Sequence, residues 1–312
     1  MILVAGSANL DFVVQASHIP APGETVLGHG LKTYPGGKGA NQAVACVRAG
    51  GAVTHMLLAL GDDPYALPLE ASLSSAGVQL HTVRAPGVPT GTAFICVSDD
   101  AENAITVAPG ANNLLQAHHL PPLDGFSHLL MQLETPLATV AAYAQAARTS
   151  DIKVVLNAAP AQALDAALLA LVDVLIVNEG ELSSIAGSGG TLAQQLQQLS
   201  VPTVVVTLGA KGCCARVGSD FLVQPGFAVT PIDTTGAGDT FCGVLVAALS
   251  EGNGMSAALR RASAAAALAC TQSGAQSSIP TREAVAAFLH AQHATTSHEE
   301  AELREFCGLT SN

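Results

Sequence analysis

The chain contains no tryptophan, and only three tyrosines and eight phenylalanines stand among its 312 residues. Its interior must therefore be assembled from alanine, leucine and valine. Basic side chains are also scarce: 12 Lys and Arg face 24 Asp and Glu, for a formal net charge of −12. A groove that tracks a nucleic-acid backbone needs a basic stripe, so this composition speaks against nucleic acid as a partner. It does not exclude a nucleotide substrate, because helix N-termini and magnesium neutralise phosphate locally. Long apolar runs are missing as well. The short run Ile2 to Ala5 has no basic region before it and meets Asp11 soon after, so neither a signal peptide nor a membrane span is expected. Seven cysteines occur without a CxxC pair or metal-ligand spacing, the pattern expected of reduced thiols in a cytoplasmic protein.

Hydrophobic residues make up 49% and charged residues 12%, enough to bury a large core. The length exceeds what one compact core usually takes, which predicts a large domain with an appended lid. Apolar runs of strand length recur at Ile2–Ala5, Val53–Leu60, His128–Gln132, Ile152–Asn157, Asp173–Asn178 and Thr203–Leu208. Helical segments such as Pro136–Arg148 and Leu192–Leu199 separate the later ones. This alternation predicts an α/β fold with a mainly parallel sheet and helices on both faces. Short extended runs divided by Pro and Gly, from Phe12 to Tyr34 and from Thr90 to Ala108, are too short for crossover helices. They predict a small antiparallel β-sheet lid of the kind that excludes water from a reaction. The expected core covers residues 1–10, 35–89 and 109–292, and the lid 11–34 and 90–108. The remaining tail, 293–312, reads as a frayed, solvated helix with no function.

The stretch Ile232 to Phe241 organises the rest. Gly236 and Gly238 allow a tight turn, and Phe241, Val244, Leu245, Ala248 and Leu249 then recur at helical spacing. A glycine turn opening a helix aims free amides at whatever lies above it, and phosphate is the commonest ligand of such a place. Asp239 in that first turn either complements the helix dipole or serves as a general base beside the anion hole. Gly36 to Ala43 forms a second glycine turn before a helix, expected from Asn41 to Ala49. It is not a dinucleotide fingerprint, since Gln42 stands at the third glycine, and it is not a Walker loop, since Gly39 follows Lys38.

Both stretches match signatures. Asp233-Thr234-Thr235-Gly236-Ala237-Gly238-Asp239-Thr240-Phe241 and Gly36-Gly37-Lys38-Gly39-Ala40-Asn41-Gln42-Ala43 resemble the C-terminal and N-terminal signatures of the ribokinase family of carbohydrate kinases. The similarity runs from about Val4 to about Leu289. It implies an ATP-dependent kinase acting on the 5-hydroxyl of D-ribose, with Asp239 as base and the amides of Gly236, Ala237 and Gly238 as anion hole. It places Asn9, Asp11, Gly37, Lys38, Asn41 and Glu134 on the sugar, with Asn9 and Asp11 delivered by the first strand to the edge where open parallel sheets bind ligands. It puts Asn178, Thr207, Gly209, Gly212 and Gly238 on the nucleotide, with Glu181 acting on Mg2+ through water. Asp233, Thr235, Ala269, Gln272, Gly274 and Ser278 would enclose K+, several through backbone carbonyls. Read without the resemblance, Asn178 is an N-cap with an acidic first turn, Glu134 a helix-start carboxylate and Lys211 a solvated turn lysine. Ser263 departs from the family, which often packs a larger side chain there against adenine. The resemblance also implies a homodimer through the lid sheet. A nucleoside kinase on the same scaffold is the alternative, and a non-catalytic sensor of sugar or nucleotide is a third reading.

Overall fold

The first strand shows how the sheet is covered. Ile2 and Val4 point into one apolar cluster, Leu3 and Ala5 into a second on the opposite face, and all four are buried. A strand sealed on both faces belongs inside an α/β layer structure. The computed structural model describes residues 1–100, 102–293 and 295–309.

In chain order come β1 (Ile2–Ala5), β2 (Asn9–Ala16), β3 (Gly30–Gly36), α1 (Lys38–Arg48), β4 (Thr54–Gly61), α2 (Ala66–Ser75), β5 (Gln79–Ala85), β6 (Gly91–Ser98) and β7 (Asn103–Ala108). Then follow β8 (His128–Met131), α3 (Leu137–Thr149), β9 (Lys153–Asn157), α4 (Ala166–Leu169), β10 (Val174–Asn178), α5 (Glu179–Ala186), α6 (Leu192–Gln198), β11 (Thr203–Thr207), β12 (Gly212–Val217) and β13 (Asp220–Pro225). Four helices, α7 (Ala237–Ser250), α8 (Met255–Ala269), α9 (Arg282–Ala291) and α10 (Ser297–Phe306), end the order.

Nine strands form the main sheet in the order β13-β12-β11-β10-β9-β8-β1-β4-β5. All neighbours run parallel except the β11–β12 and β12–β13 pairs at one edge. The chain builds outward from β1 through β4 to β5, then restarts on its other side at β8. Strand order therefore reverses beside β1, and in open α/β sheets ligands bind at the carboxyl ends of the strands flanking such a reversal.

The second sheet has the order β3-β2-β6-β7. Its two outer pairs are antiparallel, while β2 and β6 run parallel in the middle. This sheet stands over the carboxyl edge of the main one as a lid. Three expectations shift here. Asn9 and Asp11 are not carried on the edge of β1, which ends at Ala5; both ride on β2, the first lid strand. Helix α1 starts three residues before Asn41, because Gly37, at φ 90°, itself takes the N-cap position. Of the tail, residues 294 and 310–312 lie outside the described residues; the rest is not a frayed helix, since α10 has a capping box at Thr296 and Glu299 and buries Leu303, and Cys307 just beyond it is buried too. The Lys211 ammonium lies 4.8 Å from the Phe306 ring, so this turn lysine is spread over an aromatic face of the tail.

Helices α1 and α7 approach closely. A Cβ at Gly243 would stand 2.5 Å from the Gln42 carbonyl oxygen and 2.6 Å from Ala45 Cβ, so a side chain there would push the helices apart. The Cys46 thiol donates to the Gly243 carbonyl at 3.3 Å across this contact. The approach brings the first turn of α7 to the start of α1 and sets the geometry of the site.

Candidate active site

The turn before α7 bends because Gly236 adopts φ 74°, a left-handed conformation that a side chain would strain, with the Ala275 backbone packed against it. Asp239 follows on the first turn of the helix. Its two oxygens are each held by an amide from α1: Asn41 Nδ2 donates to Oδ2 and Gln42 Nε2 to Oδ1, both at 2.9 Å. Burial drives the Asp239 carboxyl above the ordinary carboxylate range, against the pull of the Lys38 ammonium and the two amides, and Glu134 adds to the rise. Such a carboxylate is a better proton acceptor than a solvated one.

Around it lie further charges. Asp11 is raised to about 7, first by burial, then by repulsion from Glu134 and Asp239. Burial works against the Lys38 ammonium, but Asp239, Glu134 and Glu181 outweigh it and hold its pKa above the ordinary value. Glu134 Oε2 accepts from Ser7 Oγ at 2.5 Å and from the Lys38 N–H at 3.1 Å, which locks the start of α1 to the strand-end turns. Asn9 is 2% exposed, and its carbonyl oxygen accepts from Asn112 Nδ2 at 2.8 Å. That bond turns the Asn9 amide nitrogen away from Asn112. Asn112 in turn holds the Ala8 N–H at 3.0 Å. Sequence reasoning missed Asn112, Ser7, Asn157 and Gln132. Gln42 entered only as a mismatch to the dinucleotide pattern, yet it is fully buried and links Asp239, Asn157 and Gln132. A buried polar residue among the alanines of an amphipathic helix was the available signal.

Two cavities lie in this region. Under the lid, about 520 Å³ is bounded by Asp11, Val13 and Lys32 on one side and Asp233, Thr235 and Gly274 on the other. Beyond Asp239, a smaller space of about 160 Å³ is lined by Lys38, Asn178, Glu181, Thr207, Gly236 and Gly238. Gly236 and Gly238 thus line this space, whereas the Ala237 N–H turns back to the Thr234 carbonyl at 3.2 Å and departs from the expected anion hole. Asn178 is the N-cap of α5: its Oδ1 accepts from the Glu181 N–H, and Glu181 Oε2 accepts from the Asn178 N–H, each at 2.8 Å. This reciprocal box fixes Glu181, whose carboxyl burial pushes upward, at the cavity wall. Gly209 and Gly212 lie past the end of β11, outside that lining, and Gly212 packs directly on the Gln224 carbonyl. Ser263 is buried with its Oγ 3.7 Å from Cys213 Sγ, so it serves helix–sheet packing. Cys242 is a buried thiol whose pKa burial pushes well up, in keeping with a packed core position.

The proposed cation loop is assembled from two segments. Asp233 Oδ1 accepts from the Thr235 N–H at 2.9 Å and Oδ2 from the Gly274 N–H at 2.8 Å. Burial opposes its charge, but these bonds outweigh burial and hold the carboxyl below its usual range. The Ala269 carbonyl accepts from the Gln272 N–H at 3.3 Å, and Ser278 Oγ donates to the Ala275 carbonyl at 3.1 Å. The carboxylate, carbonyls and hydroxyl of these residues are all oxygen donors, the kind a hard cation takes.

A carboxylate held between a cleft rich in hydroxyl acceptors and an amide-lined space at a helix N-terminus defines a phosphotransferase acting on a small hydroxylated molecule. The profile of the pfkB family carbohydrate kinases matches residues 1–282, and the chain belongs to that family of sugar kinases. Ribokinase of Haemophilus influenzae is 40% identical over 301 residues, covering 92% of this chain and 98% of that protein. The crystal structure of ribokinase from Thermotoga maritima superposes with a TM-score of 0.85 at 36% identity, covering 93% of this chain and 99% of that one. The structure of Arabidopsis thaliana ribokinase complexed with ribose and ATP gives 0.83 at 32% identity, with coverage of 93% and 99%.

Proposed function

We propose that the chain transfers the γ-phosphoryl group of ATP to the 5-hydroxyl of D-ribose. The observation that carries this reading is the position of Asp239, gripped by Asn41 and Gln42 on the wall of the space at the helix N-terminus. The likeness to ribokinases over more than nine-tenths of the chain supplies the substrates.

Asp11 on the lid cavity, Lys38 on the space beside Asp239, and Asn9, Asn41 and Glu134, which line neither, would together offer the acceptors and donors that a ring of hydroxyls needs. A site built this way discriminates strongly against a sugar lacking one of those hydroxyls, because a buried polar group is then left unpaired. The 5-hydroxyl gives its proton to an Asp239 oxygen as its own oxygen bonds to the γ-phosphorus, and the bond from phosphorus to the β,γ-bridging oxygen breaks to release ADP. Amides of Gly236 and Gly238, with the Lys38 ammonium, face the charge spread over the transferring group. Thr207 and Asn178 line the nucleotide side, and Glu181 would hold Mg2+ through water, where the ion would neutralise phosphate oxygens. The oxygens of Asp233, Thr235, Ala269, Gln272, Gly274 and Ser278 would hold K+, which would steady the turn at Gly236 without touching substrate.

Two further readings belong to this proposal. On the lid face turned away from the cavity, Phe12 stacks on Phe94 with centroids 5.4 Å apart, beside exposed Val14 and Leu31. An apolar sheet face of this kind suits a homodimer formed lid to lid. Free cysteines among the described residues and the use of ATP fit a cytoplasmic enzyme. No helix among the described residues is long and apolar enough to cross a membrane.

The test is ADP release with Mg-ATP and, separately, ribose, deoxyribose, fructose, adenosine and pseudouridine, each in potassium and in a tetraalkylammonium salt. The reading expects the highest kcat/KM on ribose and a fall in rate without potassium. A preference for adenosine or pseudouridine would overturn the substrate and leave the phosphotransferase standing.

A further inference from the structure

The Asn41 side chain that grips Asp239 is itself gripped from behind. Gln276 sits in the loop between α8 and α9, 7% exposed, and its Nε2 donates to Asn41 Oδ1 at 3.2 Å. Its Oε1 accepts from Ser72 Oγ of α2 at 2.6 Å. Arg48 Nη1 lies 3.5 Å from the Gln276 carbonyl, at the rim of an outer cavity of about 470 Å³ that Ser72 and Gln276 also line.

We propose that Gln276 is a positioning residue for the general base: by donating to Asn41 Oδ1 it keeps the Asn41 amide turned so that Nδ2 donates to Asp239. The inference rests on the reading of Asp239 as the base. An asparagine amide has one donating and one accepting end, and a wrong flip would put its oxygen against the carboxylate. Only one direction of the relay satisfies the anionic end: Ser72 O–H to Gln276 Oε1, Gln276 N–H to Asn41 Oδ1, Asn41 N–H to Asp239. Each dipole then points its positive end toward the carboxylate, and bonds aligned in this way strengthen one another. Gln42, the other amide on Asp239, already has two acceptors on its nitrogen, Asp239 and Asn157, and Gln132 donating to its oxygen. Asn41 has only Gln276 for this task among the hydrogen bonds of the described residues. Gln276 also belongs to the loop whose neighbour Ala275 packs on Gly236, so one short segment supports both the base and the glycine turn.

The readout is the acid limb of kcat against pH. Groups facing Asp239 are Lys38 of α1, Glu134 after β8, Glu181 of α5 and Asp11 of β2, with Cys242 one turn along its own helix. Gln276 replaces none of them, so a shift on changing it reports the relay. Gln276→Met keeps the length, adds no charge and removes the donor to Asn41. The expected result is a fall in kcat of about tenfold at pH 7, with the acid limb displaced upward by about one pH unit, the scale of one charge-assisted hydrogen bond. Ser72→Ala, at a half-buried and tolerant position, should move the limb the same way by less. A purely structural role would lower melting temperature and leave the limb in place. If Gln276→Met and Ser72→Ala both keep the wild-type limb and a kcat within twofold while Asp239→Asn is inactive, the relay is overturned and the base stands. Turnover by Asp239→Asn at the wild-type rate would remove the base assignment itself.

Discussion

Gly243 of α7 lies on the carbonyl of Gln42 of α1, so close that a Cβ would stand 2.5 Å from that oxygen. One turn upstream of this contact, Asp239 receives the Gln42 amide. The same absence of a side chain that lets two helices touch therefore sets the distance at which Asp239 is held. Gly243→Val is expected to cost about 1–3 kcal/mol through overpacking. Unlike a core substitution elsewhere, it should also lower kcat by more than tenfold at temperatures where the variant is fully folded. Calorimetry and steady-state rates on the same preparation check both parts.

Asp11 gives a pH dependence of stability. Its folded carboxyl titrates near 7 against an ordinary 3.8, so the folded state binds this proton more tightly than the unfolded chain. The group therefore costs stability fully above pH 7, and the cost fades as pH falls toward 4. Asp11→Asn removes the cost. Without sugar, the variant should exceed wild type by about 2 kcal/mol at pH 8, after allowing for solvent screening, and match it near pH 4. Melting temperatures at the two pH values measure this, and a raised KM for ribose should accompany it.

The signatures and most main-sheet strands were legible in the sequence because each is local. Glycines at 236 and 238 announce a turn within one motif, and strand-length runs such as Thr203–Leu208 show their burial directly. What stayed hidden depends on pairing across the chain. Asn112 reaches Asn9 over 103 residues and Gln276 reaches Asn41 over 235, and nothing near either residue marks it. From sequence Asn9 and Asp11 read as the edge of β1, because the break at Gly6 to Ala8 leaves room for either a turn or a new strand; pairing with β3 and β6 decides for the strand. The tail looked solvated because Glu299, Glu300, Glu302 and Glu305 dominate it, yet Leu303 and Cys307 share the opposite face and dock it.

That docking can be measured. Leu303 is 5% exposed in the cluster that also holds Cys214 and Val206. Leu303→Ala should lower stability by about 2–4 kcal/mol while leaving kcat on ribose at 25 °C within twofold, because α10 touches neither cavity. An unchanged melting temperature would mean that the tail is not part of the folded core.

The central claim is that Asp239 accepts the proton of the attacking hydroxyl. Its most direct test is single-turnover phosphoryl transfer by Asp239→Asn, with ATP affinity measured on the same protein. The asparagine keeps the shape and can still accept from one of the two amides, but it cannot take a proton. Transfer at least about a thousandfold slower than wild type, with ATP affinity within threefold, is the predicted result. Transfer within tenfold of wild type at saturating ribose would contradict it.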